Sequence, residues 1–169
     1  MINLTTKEIK GYASSSIAKS EKKDCFVRAL AAGFEINYND AHAIAKEKFN
    51  REDKKGTKGH EIVSGMEKIQ KEGIVLGDVI AKVKVLKGLE IKNRYKLYGE
   101  LIDRKKTVKS FIKDHPKGNY IVTVSKHAFV VKDGKLIDNH GEEFRPTRKV
   151  DGAYKISLPT NTNQLSLFN

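Results

Sequence analysis

A change of hydrophobic period near residue 74 is the strongest constraint on what this chain can become. Upstream of it, apolar residues recur at helical spacing. Downstream, Val83 and Val85 alternate with Lys82 and Lys84, so a helical first half must be joined to a sheet-forming second half. The stretch Lys22 to Glu35 carries Phe26, Val27, Ala29, Leu30, Ala31 and Ala32, closed by Gly33, with Asp24 placed to cap it. Asn39 is placed to cap a second helix in which Ala41, Ala45 and Phe49 recur four residues apart, and His60 to Lys71 reads as a third. Thr107 can cap a short helix through Val108, Phe111 and Ile112, which must end before Pro116. Tyr120, Val122 and Val124 then alternate, and Ala128 to Val131 and Leu136 to Ile137 flank Asp133-Gly134, a strong hairpin turn signature. A last strand fits Ala153 to Leu158. The pattern predicts an α+β domain over residues 1–158, and a polar, unpatterned tail over residues 159–169.

Composition narrows the setting. The 169 residues include one cysteine, Cys25, which excludes an internal disulfide and any multi-thiolate metal site and suits a reducing cytoplasm. No apolar run approaches the roughly 18 residues of a membrane span, and residues 1–10 lack the apolar core of a secretory signal. A cytoplasmic protein without a membrane partner is therefore expected. His42, His60 and His115 read as structural or solvated, and with no paired histidine spacing on a helix face no metal or other cofactor is expected. Gly56-Thr57-Lys58-Gly59 lacks both the spacing and the preceding apolar strand of a phosphate loop.

The formal charge is +12, and it is concentrated. Lys82 to Lys113 holds 11 Lys or Arg against Glu90, Glu100 and Asp103, a net of +8. Such a run is either a solvated face or a footprint for DNA or an acidic protein. Lys82, Lys84, Lys92, Arg94, Lys96, Arg104, Lys105 and Lys106 are the candidate contacts, and the interleaved Tyr95 and Tyr98 are compatible with base stacking.

A nucleophilic thiol needs a lowered pKa, a base in reach and a site for an oxyanion. Cys25, at the start of a helix, gains the first from the positive helix end, and its own backbone N–H can supply the last. The base should come from elsewhere, and His127 opens the strand leading into Asp133-Gly134. A two-residue turn there places Phe129 opposite Asp138, on the face that His127 shares, so Asp138 can orient the imidazole. A three-residue loop would put Asn139 there instead, and His140 is a rival base.

These elements resemble the papain-like cysteine peptidase superfamily, in its small phage and bacterial members more than in papain itself. The resemblance rests on Asp24-Cys25-Phe26-Val27-Arg28-Ala29-Leu30, Ser125-Lys126-His127-Ala128-Phe129-Val130-Val131 and Leu136-Ile137-Asp138-Asn139, in the order Cys, His, Asp or Asn, and covers Lys22 to Asn139. It implies a papain-like fold, with the cysteine helix packed on an antiparallel sheet and Cys25, His127 and Asp138 as nucleophile, base and orienting acid. One departure stands out: Met1 to Asp24 has no Gln to act as an upstream oxyanion donor, with only Asn3, Ser16 and Ser20 in its place.

Near the C-terminus, Gln164-Leu165-Ser166-Leu167-Phe168 resembles the bacterial β sliding clamp-binding pentapeptide at every position. A given pentapeptide arises by chance in a chain of this length with a probability on the order of 10⁻⁴. The resemblance implies that Gln164 binds the rim of a clamp pocket while Leu167 and Phe168 fill its floor, with Leu165 and Ser166 adding contacts. Thr160 to Asn163 is a polar spacer reaching roughly 14 Å.

Together the two resemblances imply a clamp-associated papain-like cysteine hydrolase acting on a protein or amide substrate at the replication machinery. It would be encoded by a phage or mobile element and work in a bacterial host cytoplasm. The alternative is a non-catalytic clamp-binding protein that modulates replication or transcription and retains the fold.

Overall fold

The computed structural model describes residues 9–137 and 145–159. Four helices come first: α1 (Ser16–Ser20), α2 (Cys25–Phe34), α3 (Tyr38–Phe49) and α4 (Gly59–Glu72). The strands β1 (Ile74–Leu76) and β2 (Val79–Val85) follow, then β3 (Lys92–Leu97) and β4 (Glu100–Lys105), the short helix α5 (Val108–Asp114), and β5 (Asn119–Val124), β6 (His127–Lys132), β7 (Lys135–Ile137) and β8 (Gly152–Ser157). Six strands form one antiparallel sheet in the order β1-β2-β8-β5-β6-β7. The architecture is α+β, as the change of period predicts.

Strand alternation divides the core between the two sheet faces. Ile121, Ala128, Val130, Tyr154 and Ile156 pack with Val27, Leu30, Phe34 and the apolar sides of α3 and α4. Tyr120, Val122, Phe129 and Val131 pack instead with Val108 and Phe111 of α5. The cysteine helix lies directly on the sheet: a Cβ on Gly33 would sit 2.8 Å from the Ile121 side chain. Gly33 is therefore a close-approach residue inside α2 and not its stop. The helix ends at Phe34, with Glu35 left-handed at φ 56°, and the Asn119 amide donates to the Gly33 carbonyl at 2.6 Å.

Several boundaries differ from the sequence reading for local reasons. Asn37, not Asn39, caps α3, its side chain accepting from the Asn39 N–H at 3.0 Å. Asn39 sits in the first turn and accepts from the Ser15 hydroxyl. Asp24 occupies the N-cap of α2 but makes no side-chain cap bond. The Ile74 to Leu86 stretch is split by a turn at Gly77, φ 62°. Thr107 caps α5 as expected, accepting from the Ser110 N–H at 3.0 Å, and α5 ends before Pro116. Asp133-Gly134 is a two-residue turn with both φ positive, pairing Lys132 with Lys135.

Outside the main sheet, β3 and β4 form a separate two-stranded arm turned by Tyr98 and Gly99, and the sequence reading did not anticipate it. No helix among the described residues is long and apolar enough to cross a membrane.

Candidate active site

Cys25 is the first residue of α2, and His127 is the first residue of β6, which packs under that helix. The fold brings the two side chains into a hydrogen bond. Burial pushes the Cys25 thiol up. The bond with His127, the Ala128 N–H donated to the sulfur, and the charges of His127 and Arg28 together outweigh burial and hold the thiol below its ordinary pKa. His127 is buried, with its ring stacked on Phe129 at 5.9 Å between centroids. A β-strand end thus holds the imidazole and one backbone donor against a helix end that holds the thiol.

The residue before the cysteine shapes the electrostatics. The Asp24 carboxylate is engaged by other partners: Tyr38 donates to it at 2.7 Å, and Arg28 lies 3.0 Å from its other oxygen. The first-turn N–H groups of α2 are therefore not capped by a side chain, and the helix keeps its positive end at the sulfur.

Cys25 and His127 line a cleft of about 1030 Å³. One wall is the β5–β6 turn with Ser125 and Lys126, and the other is the loop Gly56-Thr57-Lys58 leading into α4. Phe26, Ile62, Val63 and Val124 give it apolar surface. Sequence reasoning singled out Cys25 and His127, which the fold brings together, and did not place Arg28, Lys58, Lys126 or the Ala128 N–H beside them. Arg28 was within its reach, since residues three apart on a helix share a face.

The remaining candidates divide. Asp138, Asn139 and His140 lie outside the described residues, as do Gln164, Leu165, Ser166, Leu167 and Phe168. Of the eight basic candidates, Lys106 is buried and paired with Asp114, so its charge is not presented to a polyanion. Lys84, Arg94 and Lys105 are exposed but paired with Glu90, Asp103 and Asp151. Lys82, Lys92, Lys96 and Arg104 are exposed and make no ion pair among the described residues. Tyr98 stands at the arm's tip, 97% exposed.

Among the described residues, Glu21, His42 and Asp53 group three metal-type ligand atoms within 4.8 Å of one another. The Arg51 guanidinium already lies 2.5 Å from Glu21 and 3.3 Å from His42, supplying the positive charge that a cation would bring. The group is a structural ion network. Lys54 donates its N–H to Glu21 at 2.7 Å, so the network ties the segment entering α2 to the turn that precedes the cleft's second wall.

No family model matches the chain, and no curated protein or solved structure matches it. The functional reading rests on the residues themselves.

Proposed function

We propose that the chain is a cysteine-dependent amide hydrolase of papain-like architecture, held at the bacterial β sliding clamp by residues 164–168 and encoded by a phage or mobile element. The observation that carries the catalytic part is the Cys25–His127 hydrogen bond at the open N-terminus of α2, with the thiol held below its ordinary pKa and Cys25 lining a cleft. The clamp part rests on the pentapeptide alone.

The chemistry follows from that pair. Cys25 passes its thiol proton to His127, its Sγ attacks the substrate carbonyl carbon, and the oxyanion that forms faces the uncapped N–H groups of α2. The C–N bond breaks as the His127 imidazolium gives its proton to the leaving amine, leaving a thioester on Cys25. Water, deprotonated by His127, attacks the thioester carbonyl and releases the acid and the thiol. Asp138 serves as the group that orients His127.

Iodoacetamide alkylation of the full chain across pH tests the nucleophile. The rate should reach half-maximum below the roughly 8.5 of a free cysteine, and His127→Ala should move that midpoint up. A midpoint at or above the free value in the unmutated chain would refute the reading. Calorimetry against purified clamp tests the tether: binding should be present in the full chain and lost on truncation after Asn163. The absence of a Gln in Met1 to Asp24 favours the second reading, a non-catalytic clamp binder. Under it, Cys25→Ala leaves the protein's effect on replication unchanged, whereas Leu167→Ala with Phe168→Ala abolishes it.

A further inference from the structure

The cleft around Cys25 has a charge pattern of its own. Lys23, Arg28, Lys58 and Lys126 line it, and the one acidic residue among its lining, Asp151, is held by Lys105 at 2.6 Å. Arg28 is paired with Asp24, but Lys23, Lys58 and Lys126 are exposed and make no ion pair among the described residues. These three lysines come from separate places: the turn before α2, the loop before α4, and the β5–β6 turn. Two of them, Lys23 and Lys126, hold positive φ values of 54° and 60°, so the local turn geometry fixes their backbones beside the thiol. The α4 N-terminus, which also carries no side-chain cap, opens on the same space as the α2 N-terminus. Among the residues lining the cleft, every charged side chain other than Asp151 is basic.

We propose that this cleft selects an acidic peptide segment, with carboxylate side chains flanking the amide that Cys25 attacks. The inference rests on the reading of Cys25 as the nucleophile and names the substrate class of that site. A one-sign cleft with low-dielectric walls raises the local concentration of the opposite charge. A peptide is favoured over a polynucleotide by what lies between the lysines. Phe26, Ile62 and Val63 offer apolar contact to side chains, and a nucleophilic thiol in the lining needs a carbonyl carbon, which a phosphodiester lacks.

The experiment compares alkylation of Cys25 in the full chain by iodoacetate, an anion, and iodoacetamide, its neutral counterpart. In both, the thiolate sulfur displaces iodide at the CH2 carbon, so only the reagent's charge differs. The iodoacetate-to-iodoacetamide rate ratio should exceed that of the urea-unfolded chain by on the order of tenfold. It should fall as KCl is added, and return to the unfolded value in a Lys23→Gln, Lys58→Gln, Lys126→Gln triple variant. Poly-L-glutamate should protect the thiol better than oligo-dT of equal charge. Circular dichroism of the triple variant separates lost charge from lost fold. A fast iodoacetamide reaction with no iodoacetate preference overturns this proposal and leaves the nucleophile intact. Slow reaction with both reagents overturns the nucleophile and this inference with it. Stronger protection by oligo-dT assigns the cleft to nucleic acid and overturns the peptide.

Discussion

Glu21→Gln should destabilise the fold by about 3 kcal/mol at pH 7, and by progressively less as the pH falls below 4.5. Burial alone would raise the Glu21 carboxyl, but hydrogen bonds from Arg51, His42 and the Lys54 N–H hold it at about 2 instead of 4.5. That difference is about 2.5 units at roughly 1.4 kcal/mol each. Only 2% of the side chain is exposed, so solvent screening removes little of it. A depressed carboxylate stabilises the fold above its unfolded pKa, and that contribution is lost as pH falls toward the folded value. The window is thus pH 4.5 down to about 2. Glutamine keeps the length of the side chain and one acceptor for Arg51, but its NH2 then faces the Lys54 N–H, so the substitution removes the charge and one accepted bond. It leaves the Arg51 guanidinium, whose side chain is fully buried, without its counter-ion, which in other proteins costs roughly 3–5 kcal/mol. Urea unfolding at a series of pH values is the assay. The midpoint should drop with the slope unchanged, and the two proteins' stabilities should converge toward pH 2. A loss under about 1 kcal/mol at pH 7, with pH curves that stay parallel, would refute the linkage reasoning.

Two further outcomes follow from the packing and the charge distribution. Gly65→Ala gains about 1 kcal/mol of helix propensity, yet its Cβ would lie 2.4 Å from the Phe49 ring and 2.8 Å from the Lys48 carbonyl, which belongs to α3 and cannot turn aside. A net loss of about 1–3 kcal/mol by thermal denaturation is expected, whereas Gly59→Ala, with nothing within 4 Å, should not destabilise. If the arm meets DNA, replacing Lys92, Lys96 and Arg104 by Gln should reduce the slope of log affinity against log salt by about 0.9 for each phosphate that is no longer neutralised. Lys106→Gln should instead lower stability, since Lys106 is buried against Asp114, and an unchanged slope in the triple variant would remove the arm from any DNA contact.

The elements that sequence exposes are those with one buried face or a local hydrogen bond. Thr107 and its Ser110 partner, the Asp133-Gly134 turn, and the start of α2 at Cys25 are all set by neighbours within three or four residues. The β3–β4 arm leaves no such trace, because almost every residue of both strands is exposed and hydrophobic alternation needs one face to be buried. Its turn, Tyr98-Gly99, also puts an aromatic residue at a positive φ of 49°, where Asn or Asp is the usual choice. Glu21 and Arg51 are 30 residues apart, and nothing local marks them as partners. The cleft was half legible for the same reason. Cys25 and His127 each stand at an element boundary, while Lys58 and Lys126 become neighbours of the thiol only through the packing of α2 between the α4 loop and the β5–β6 turn.

Besides the His127 and Ala128 hydrogen bonds, the placement of Asp24 bears on how far the Cys25 thiol is lowered. A carboxylate at the N-cap would ordinarily accept from the first-turn N–H groups and place a negative charge at the helix end, both of which disfavour a thiolate one residue later. Tyr38 and Arg28 hold that carboxylate elsewhere, and Tyr38 is itself buried, its hydroxyl pushed up by burial and by the bond to Asp24. Tyr38→Phe removes one of the two restraints and leaves the ring that fills the core. Asp24 can then rotate onto the helix end, so the pH midpoint for Cys25 alkylation should rise toward that of a free cysteine, with iodoacetamide reactivity at high pH unchanged. Arg28→Ala should move the midpoint the same way and further, since Arg28 also lowers the thiol by its own charge. A Tyr38→Phe midpoint that stays in place would show that Asp24 does not govern the thiol, and would leave the His127 and Ala128 hydrogen bonds with the His127 and Arg28 charges as what lowers it.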